Sequence, residues 1–422
     1  MVDPLALCIN ETRLREDFDT LAEIGATLSG GVSRLALSNE DLEARAWFAN
    51  RIEEAGMIVR DDEVGNLSAV LLSKNPQART FLMGSHLDTV PNGGKYDGSI
   101  GVLAAFECLR VVKEAGLQLP VHLEAIDFTD EEGAWQSFFG SMGLAGTLEE
   151  AHINDAEQDN GAFRVALFRA GIRPSEVRLA RRNPRTLAGF LELHIEQGEQ
   201  LEKARRQIGI VTGIVGRVTY NYHFYGEALH AATTVPEKRR DALQSAAIFI
   251  TEMHRLIRDQ YPDGVVNCGN VQVIPGTFNV IPAKVTLRVE CRHPDAEILA
   301  EMEKQLIELA KDCAQQHRLT VDARPVLRRP VARMSSQMIE AIRESCDAQG
   351  RTSMPLISYA GHDAQILNGI TPTAMIFVPS RDGISHNPRE YTDWNCVVAG
   401  TNIMLQTLLR LILIRTDEEN GK

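Results

Sequence analysis

The sequence predicts an α/β fold: a mixed central sheet flanked by helices and interrupted by a smaller α+β domain. Three observations carry that expectation. Apolar strand-like runs alternate with helical stretches toward both ends of the chain, which is the signature of sheet strands joined by covering helices. Between about residues 210 and 325 the texture changes to strands grouped around two amphipathic helices. The length, 422 residues, also exceeds the size at which one hydrophobic core keeps growing. Residues 1–209 and 326–422 are therefore assigned to one discontinuous domain, and 210–325 to the insert.

The elements follow in order. SNEDLEARAWFANRIEEAG (38–56) reads as an amphipathic helix, with Ser38 as N-cap, acids in the first turn and Gly56 past the end. RTFLMGSHLDTV, VHLEAIDFTDEEG and GFLELHIEQG are apolar runs that each end in polar residues, and GVLAAFECLRVVKEAG is a helix between the first two. In the insert, GIVTGIVGRVTYNYHFYG, the helical DALQSAAIFITEMHRLIRDQ, VVNCGNVQVIPGTFNVIPAKVTLRVECRHP and the helical AEILAEMEKQLIELAKDCAQQH give the order β, α, β-β, α. TPTAMIFVPS is a further strand, and a long helix follows it.

Composition narrows the function. Apolar residues at 44% and charged residues at 24% fit a globular protein rather than a disordered one. A formal charge of -13 argues against nucleic acid or an anionic membrane as partner, since both require a basic face. Seven scattered cysteines without a CxxC pair indicate neither a disulfide framework nor a thiolate zinc site, so a cytoplasmic setting is expected. The opening MVDPLALCINETRLREDF lacks a basic-then-apolar signal pattern, and no apolar run is expected to approach the roughly 20 residues that span a bilayer.

The chemistry sits at strand ends. GSHLDTVPNGGKYDG places His86 and Asp88 two apart, with Asp97 after a glycine-rich turn. An imidazole ligand commonly has its second nitrogen oriented by a carboxylate, and a later aspartate can bridge two ions. FTDEEG supplies Asp130, Glu131 and Glu132; adjacent carboxylates point different ways, so one can ligate while its neighbour moves a proton. His194 ends the run LELHI, and His386 lies in SHNPREYT. Taken singly, each of these also fits a surface or structural residue. Jointly, His86, Asp97, Glu132, His194 and His386 form a mixed imidazole and carboxylate set of the kind that hydrolytic two-metal sites use.

GSHLDTVPNGGKYDG, HIEQG, GHDA and DGISHNP together closely resemble the metallopeptidase M20 family. Within it they resemble the amidase branch of N-carbamoyl-L-amino acid hydrolases, allantoate amidohydrolases and β-ureidopropionases, over about residues 20 to 410. The resemblance implies two divalent ions, zinc first, with manganese, cobalt or nickel as alternatives. His86 and Glu132 would hold one ion and His194 the other, with Asp97 bridging and His386 completing the pair. It implies Glu131 as the base, Asp88 orienting His86, and Gln197 facing the substrate. His230, Asn279 and Arg292 would grip the substrate's carboxylate and polarised carbonyl, and His362 would stabilise the transition state. It further implies that the larger domain is catalytic and that the insert is a lid and dimerisation domain, giving a homodimer. The expected reaction is hydrolysis of the carbamoyl or ureido C–N bond of a small carboxylate substrate, first an N-carbamoyl-L-amino acid. Allantoate, β-ureidopropionate, or a dipeptidase or aminoacylase activity are the enzymatic alternatives. A metal-binding protein without catalysis is the alternative of another class, and Glu131 beside a full ligand set argues against it.

Overall fold

The structure, a computed structural model, describes residues 3–149, 151–154 and 160–414. The chain divides into two compact units, Met1–Thr212 with Arg333–Lys422, and Gly213–Ala332.

The larger unit is built on a mixed sheet. Its strands run in the spatial order Ile58–Asp61, Leu67–Leu71, His122–Phe128, Thr80–His86, Leu187–Ile195, Thr373–Val378, Ile208–Ile214 and Ala332–Arg333, and Ser353–Ser358 also pairs on Ile208–Ile214. Four of them, His122–Phe128, Thr80–His86, Leu187–Ile195 and Thr373–Val378, lie side by side and parallel. They are buried almost throughout, which is why they read as continuous apolar runs rather than alternating ones. Because they are parallel, their carboxyl ends gather at one end of the sheet, where ligands collect in α/β folds.

The helix expected at 38–56 spans Asn39–Glu54; Ser38 Oγ accepts from the Asp41 N–H at 3.2 Å, and Gly56 follows at φ 63°. Ser99–Glu114 is buried along most of its length, including Val102, Leu103, Phe106 and Leu109. One expectation fails. Trp394–Leu413 is 20 residues of mean hydropathy 1.6, long and apolar enough to cross a membrane, yet 72% of its apolar window is buried inside the protein. Leu405, Leu408 and Ile403 belong to the main core, so this apolarity serves packing.

The smaller unit is a four-stranded antiparallel sheet in the order Thr320–Arg329, Gly216–Tyr225, Lys284–His293, Val265–Ile274. The helices Ala242–Gln260 and Ala296–Gln316 are capped by Asp241 and Asp295, and they build a core with Tyr222, Phe224, Phe249, Leu287, Met302 and Leu306. The sequence pattern predicts three strands here, and Thr320–Arg329 is a fourth. Pro325 interrupts that segment, which is tolerated because the strand is at the edge and is bulged between Pro325 and Leu327. The run that reads as one strand at 209–226 is two, separated at Val215: Ile208–Ile214 pairs with Thr373–Val378, and Gly216–Tyr225 joins the small sheet.

Candidate metal centre

The carboxyl ends of the parallel strands bring His86, Asp97, Glu131, Glu132, His194 and His386 together. Among the described residues four overlapping groups could each hold an ion: His86, Asp97 and His194; Asp97, Glu132 and His386; His86, Glu131 and Glu132; and Glu192, His194 and His362. Asp97 is common to the first two. Its Oδ1 lies 3.0 Å from His194 Nε2 and 3.8 Å from His86 Nε2, while its Oδ2 lies 3.3 Å from His386 Nε2. Glu132 Oε1 is 3.4 Å from His386 Nε2, and Glu131 Oε2 is 3.6 Å from His86 Nε2.

The resemblance implied that His86 shares an ion with Glu132, and one of these groups does hold that pair, while two others set His86 with His194 and Glu132 with His386. The strands carrying His86 and His194 are direct neighbours, so the two imidazoles stand 5.9 Å apart, centre to centre. Glu132 lies beyond its strand end, within reach of His86 and also of His386 in the neighbouring loop. The residues fit metal ions: the atoms are imidazole nitrogens and carboxylate oxygens without a thiolate, and the buried His194 Nε2 is aimed at Asp97 Oδ1 within the cluster. Two of the side chains stand on left-handed backbone, His386 at φ 54° and Gln197 at φ 57°, an uncommon conformation for such residues.

Supporting contacts fix these groups. His86 Nδ1 faces the carbonyl oxygen of Asp88 at 2.9 Å, and His194 Nδ1 faces that of Ile195 at 3.0 Å, which turns each Nε2 toward Asp97. The carboxylate of Asp88 stands 3.6 Å from His86 Nδ1 through Oδ1, and its Oδ1 and Oδ2 accept from the N–H groups of Glu131 and Glu132 at 3.3 and 3.2 Å. Gln197 Nε2 donates to Asp97 Oδ2 at 2.8 Å, as does the Ser385 hydroxyl. Glu390, which no motif in the sequence marks, accepts from the N–H groups of Tyr96 and Asp97 at 2.9 and 3.1 Å, and its Oε2 lies 2.9 Å from the Ser385 hydroxyl oxygen, which it shares with Asp97. It joins the loops of Asp97 and His386. A Cβ at Gly94 would fall 1.9 Å from the Glu390 carboxyl, so that glycine makes room for the contact.

The electrostatics follow from burial and crowding. Burial pushes Glu131 well above the usual carboxylate range, and Glu132, Asp363 and Asp88 push it further. Glu132 rises to about 8 by burial and the nearby Asp97. Burial also acts on Asp97, but His194, His386 and His86 outweigh it and hold that carboxylate well below its ordinary value. Burial brings His86 down to about 4, a neutral ring suited to ligation. A divalent ion would draw the acids downward too, by adding positive charge among them.

His362 is buried beside His194, ring centres 4.5 Å apart, with the Ser358 hydroxyl 3.0 Å from its Nε2. His230, Asn279 and Arg292 belong to the smaller unit. His230 is exposed, its Nδ1 accepting from the N–H groups of Ala232 and Thr233, and the Asn279 carbonyl accepts from Ala231 N–H next to it. Arg292 donates from Nε and Nη2 to Glu290 Oε1 at 3.0 and 2.8 Å.

Imidazoles and carboxylates gathered at the strand ends of a mixed α/β sheet are a donor set that hydrolytic metal sites use. The chain belongs to the peptidase family M20/M25/M40, whose sequence profile matches residues 82–410. It is 34% identical over 405 residues to an N-carbamoyl-L-amino acid amidohydrolase of Geobacillus stearothermophilus, covering 96% of this chain and 99% of that enzyme. It is 33% identical over 396 residues to an allantoate amidohydrolase of Bacillus subtilis (strain 168), covering 93% and 95%. The crystal structure of a hydantoinase/carbamoylase family amidase from Burkholderia vietnamiensis superposes with a TM-score of 0.85 at 32% identity, covering 97% of this chain and 99% of that one. The family and the α/β architecture expected from the motifs are thereby established, and the chain is an amidohydrolase.

Proposed function

We propose that this enzyme hydrolyses the carbamoyl or ureido C–N bond of a small carboxylate substrate, an N-carbamoyl-L-amino acid, in a site holding two divalent ions. The observation that carries the reading is Asp97, whose two oxygens face two different imidazole groups with Glu131 alongside. His86 and His194 would hold one ion and Glu132 and His386 the other, with Asp97 bridging; zinc suits the donors, as do manganese, cobalt and nickel. Bound there, the ions would supply Lewis acidity, acidifying water and polarising the carbonyl. Glu131 takes the proton from the attacking water and returns it to the departing nitrogen, a role suited to a buried carboxylate with a raised proton affinity. Gln197 steadies Asp97 and faces the substrate.

Arg292 would take the substrate carboxylate with its planar fork, exchanging Glu290 for it. Asn279 and His230 would bind the polarised carbonyl, and His362 would share the developing negative charge. Scission leaves an amino acid and a carbamate that decays to ammonia and carbon dioxide. The smaller unit acts as lid and dimerisation domain, and the enzyme works in the cytoplasm as a homodimer. Allantoate is the second reading, favoured by the Bacillus subtilis relative.

A hydrolysis screen of the metal-loaded protein tests the substrate class, with N-carbamoyl amino acids, allantoate, β-ureidopropionate, dipeptides and N-acyl amino acids side by side. Turnover of the carbamoyl amino acids should exceed that of the others by at least tenfold in kcat/KM. Preference for dipeptides or acyl amino acids would overturn the ureido reading.

A further inference from the structure

Arg34 is 1% exposed, and its guanidinium has no role in the chemistry described above. Its four acceptors are three carbonyls and a hydroxyl, none of them charged. Nε donates to Leu87 O at 2.7 Å, Nη1 to Leu21 O and Ile24 O at 3.0 Å each, and Nη2 to Ser99 Oγ at 3.1 Å. Burying a cation against neutral partners is costly, so the question is what those partners share.

Leu21 and Ile24 close the helix Glu11–Glu23, where exposed carbonyls and the helix dipole favour a positive charge. That explains how the charge is tolerated there. Leu87 and Ser99 have a different meaning, because Leu87 directly follows His86 and Ser99 stands two residues beyond Asp97. One planar fork therefore grips the chain immediately after the first ligand and shortly after the bridging one. The backbone around Arg34 repeats the grip. Arg34 N–H donates to Thr89 Oγ1 at 2.9 Å, Thr89 N–H donates to Arg34 O, and Val32 and Gly93 exchange both of their backbone hydrogen bonds.

We propose that Arg34 is a positioning residue of the metal centre, closing the loop between His86 and Asp97 so that their ligand atoms face each other before an ion arrives. The inference rests on the metal-site reading under the proposed function. A lysine in its place reaches one or two of the four acceptors and leaves the loop ends free to part. An ion must then draw them together, and its affinity falls by that amount.

Binding of Zn(II) alone, by competition with a chromophoric chelator, gives the comparison. Arg34→Lys should weaken ion binding by about 10- to 100-fold, the scale for losing support behind a ligand. Ser99→Ala removes a single acceptor and should weaken it by about fivefold, the scale of one hydrogen bond. Arg182→Lys is the control: it disrupts the paired contacts of Arg182 with Glu124 at 2.6 Å, lowering Tm while leaving ion affinity unchanged. Turnover of Arg34→Lys should recover at saturating zinc while its ion affinity stays low. Wild-type affinity in folded Arg34→Lys, or a loss no larger than in Arg182→Lys, overturns the proposal. Should Arg34→Lys fail to fold, Ser99→Ala decides alone, and unchanged affinity there rejects it. The readout is ion binding, so a mistaken substrate class leaves the comparison intact; wild-type protein that binds no ion overturns both readings.

Discussion

At the residue scale, adjacent glutamates divide between two roles. Glu131 stands beside His86, and Glu132 stands beside His386. Glu131→Gln is therefore expected to keep both ions while losing about a hundredfold or more in kcat, the usual effect of removing a general base. Glu132→Ala is expected to lose metal instead. Metal content by mass spectrometry beside turnover separates the two, and the reverse pattern would exchange the assignments. His86, Glu131, Glu132 and His194 were legible because they stand at the ends of apolar strands, and Asp97 because it follows a glycine-rich turn; His386 was singled out in a loop. Which of them share an ion depends on which strands are neighbours, and no local run encodes that. Arg34 in SRLALS and Glu390 in NPREYT carry no local signal either: each becomes meaningful only through partners tens or hundreds of residues away.

At the scale of elements, the helix Ser99–Glu114 begins against the site. Gly98, its N-cap, has φ 65°, and a Cβ there would lie 2.4 Å from the His86 ring. Gly116, beyond the end of the same helix, has the same φ of 65° but nothing within 4 Å of its Cβ. The pair separates backbone strain from collision. Gly116→Ala should cost about 1 kcal/mol, the scale for alanine at a positive φ. Gly98→Ala should cost more by denaturant unfolding in chelator and should also lose metal, since His86 must move. Equal costs with full metal content would show that the ring yields freely. The helices were legible from their periodicity, and the one at 39–54 also from its cap, Ser38, whereas the caps Asp241 and Asp295 emerge from the structure. Thr320–Arg329 was not, because a proline within a charged edge strand imitates a loop.

At the scale of the whole molecule, the α/β class and the family were legible from length, alternation and motifs, whereas the fate of the apolar run at 394–413 was not, because composition alone does not tell a buried helix from a spanning one. Assembly makes its own prediction. If His230 serves the site of a partner subunit, mixing Glu131→Ala with His230→Ala under subunit exchange puts both defects into one site of a mixed dimer and leaves its other site intact. Random exchange makes about half of the dimers mixed, so about a quarter of wild-type activity should return. Exchange verified by mass, with no activity regained, rejects delivery in trans. The interruption of the larger unit has a further consequence, for the order in which the protein is made. Ile9 N–H donates to Asn402 Oδ1 at 3.1 Å, and Gln406 Nε2 donates to Leu7 O at 2.7 Å, so the beginning of the fold is fastened by residues almost 400 positions later. Residues 213–332, by contrast, are contiguous and hold every strand of their sheet. A ribosome delivers that unit whole while the first two hundred residues still wait for the helix that will cover them, and an apolar surface left open for that interval is one that chaperones would shield.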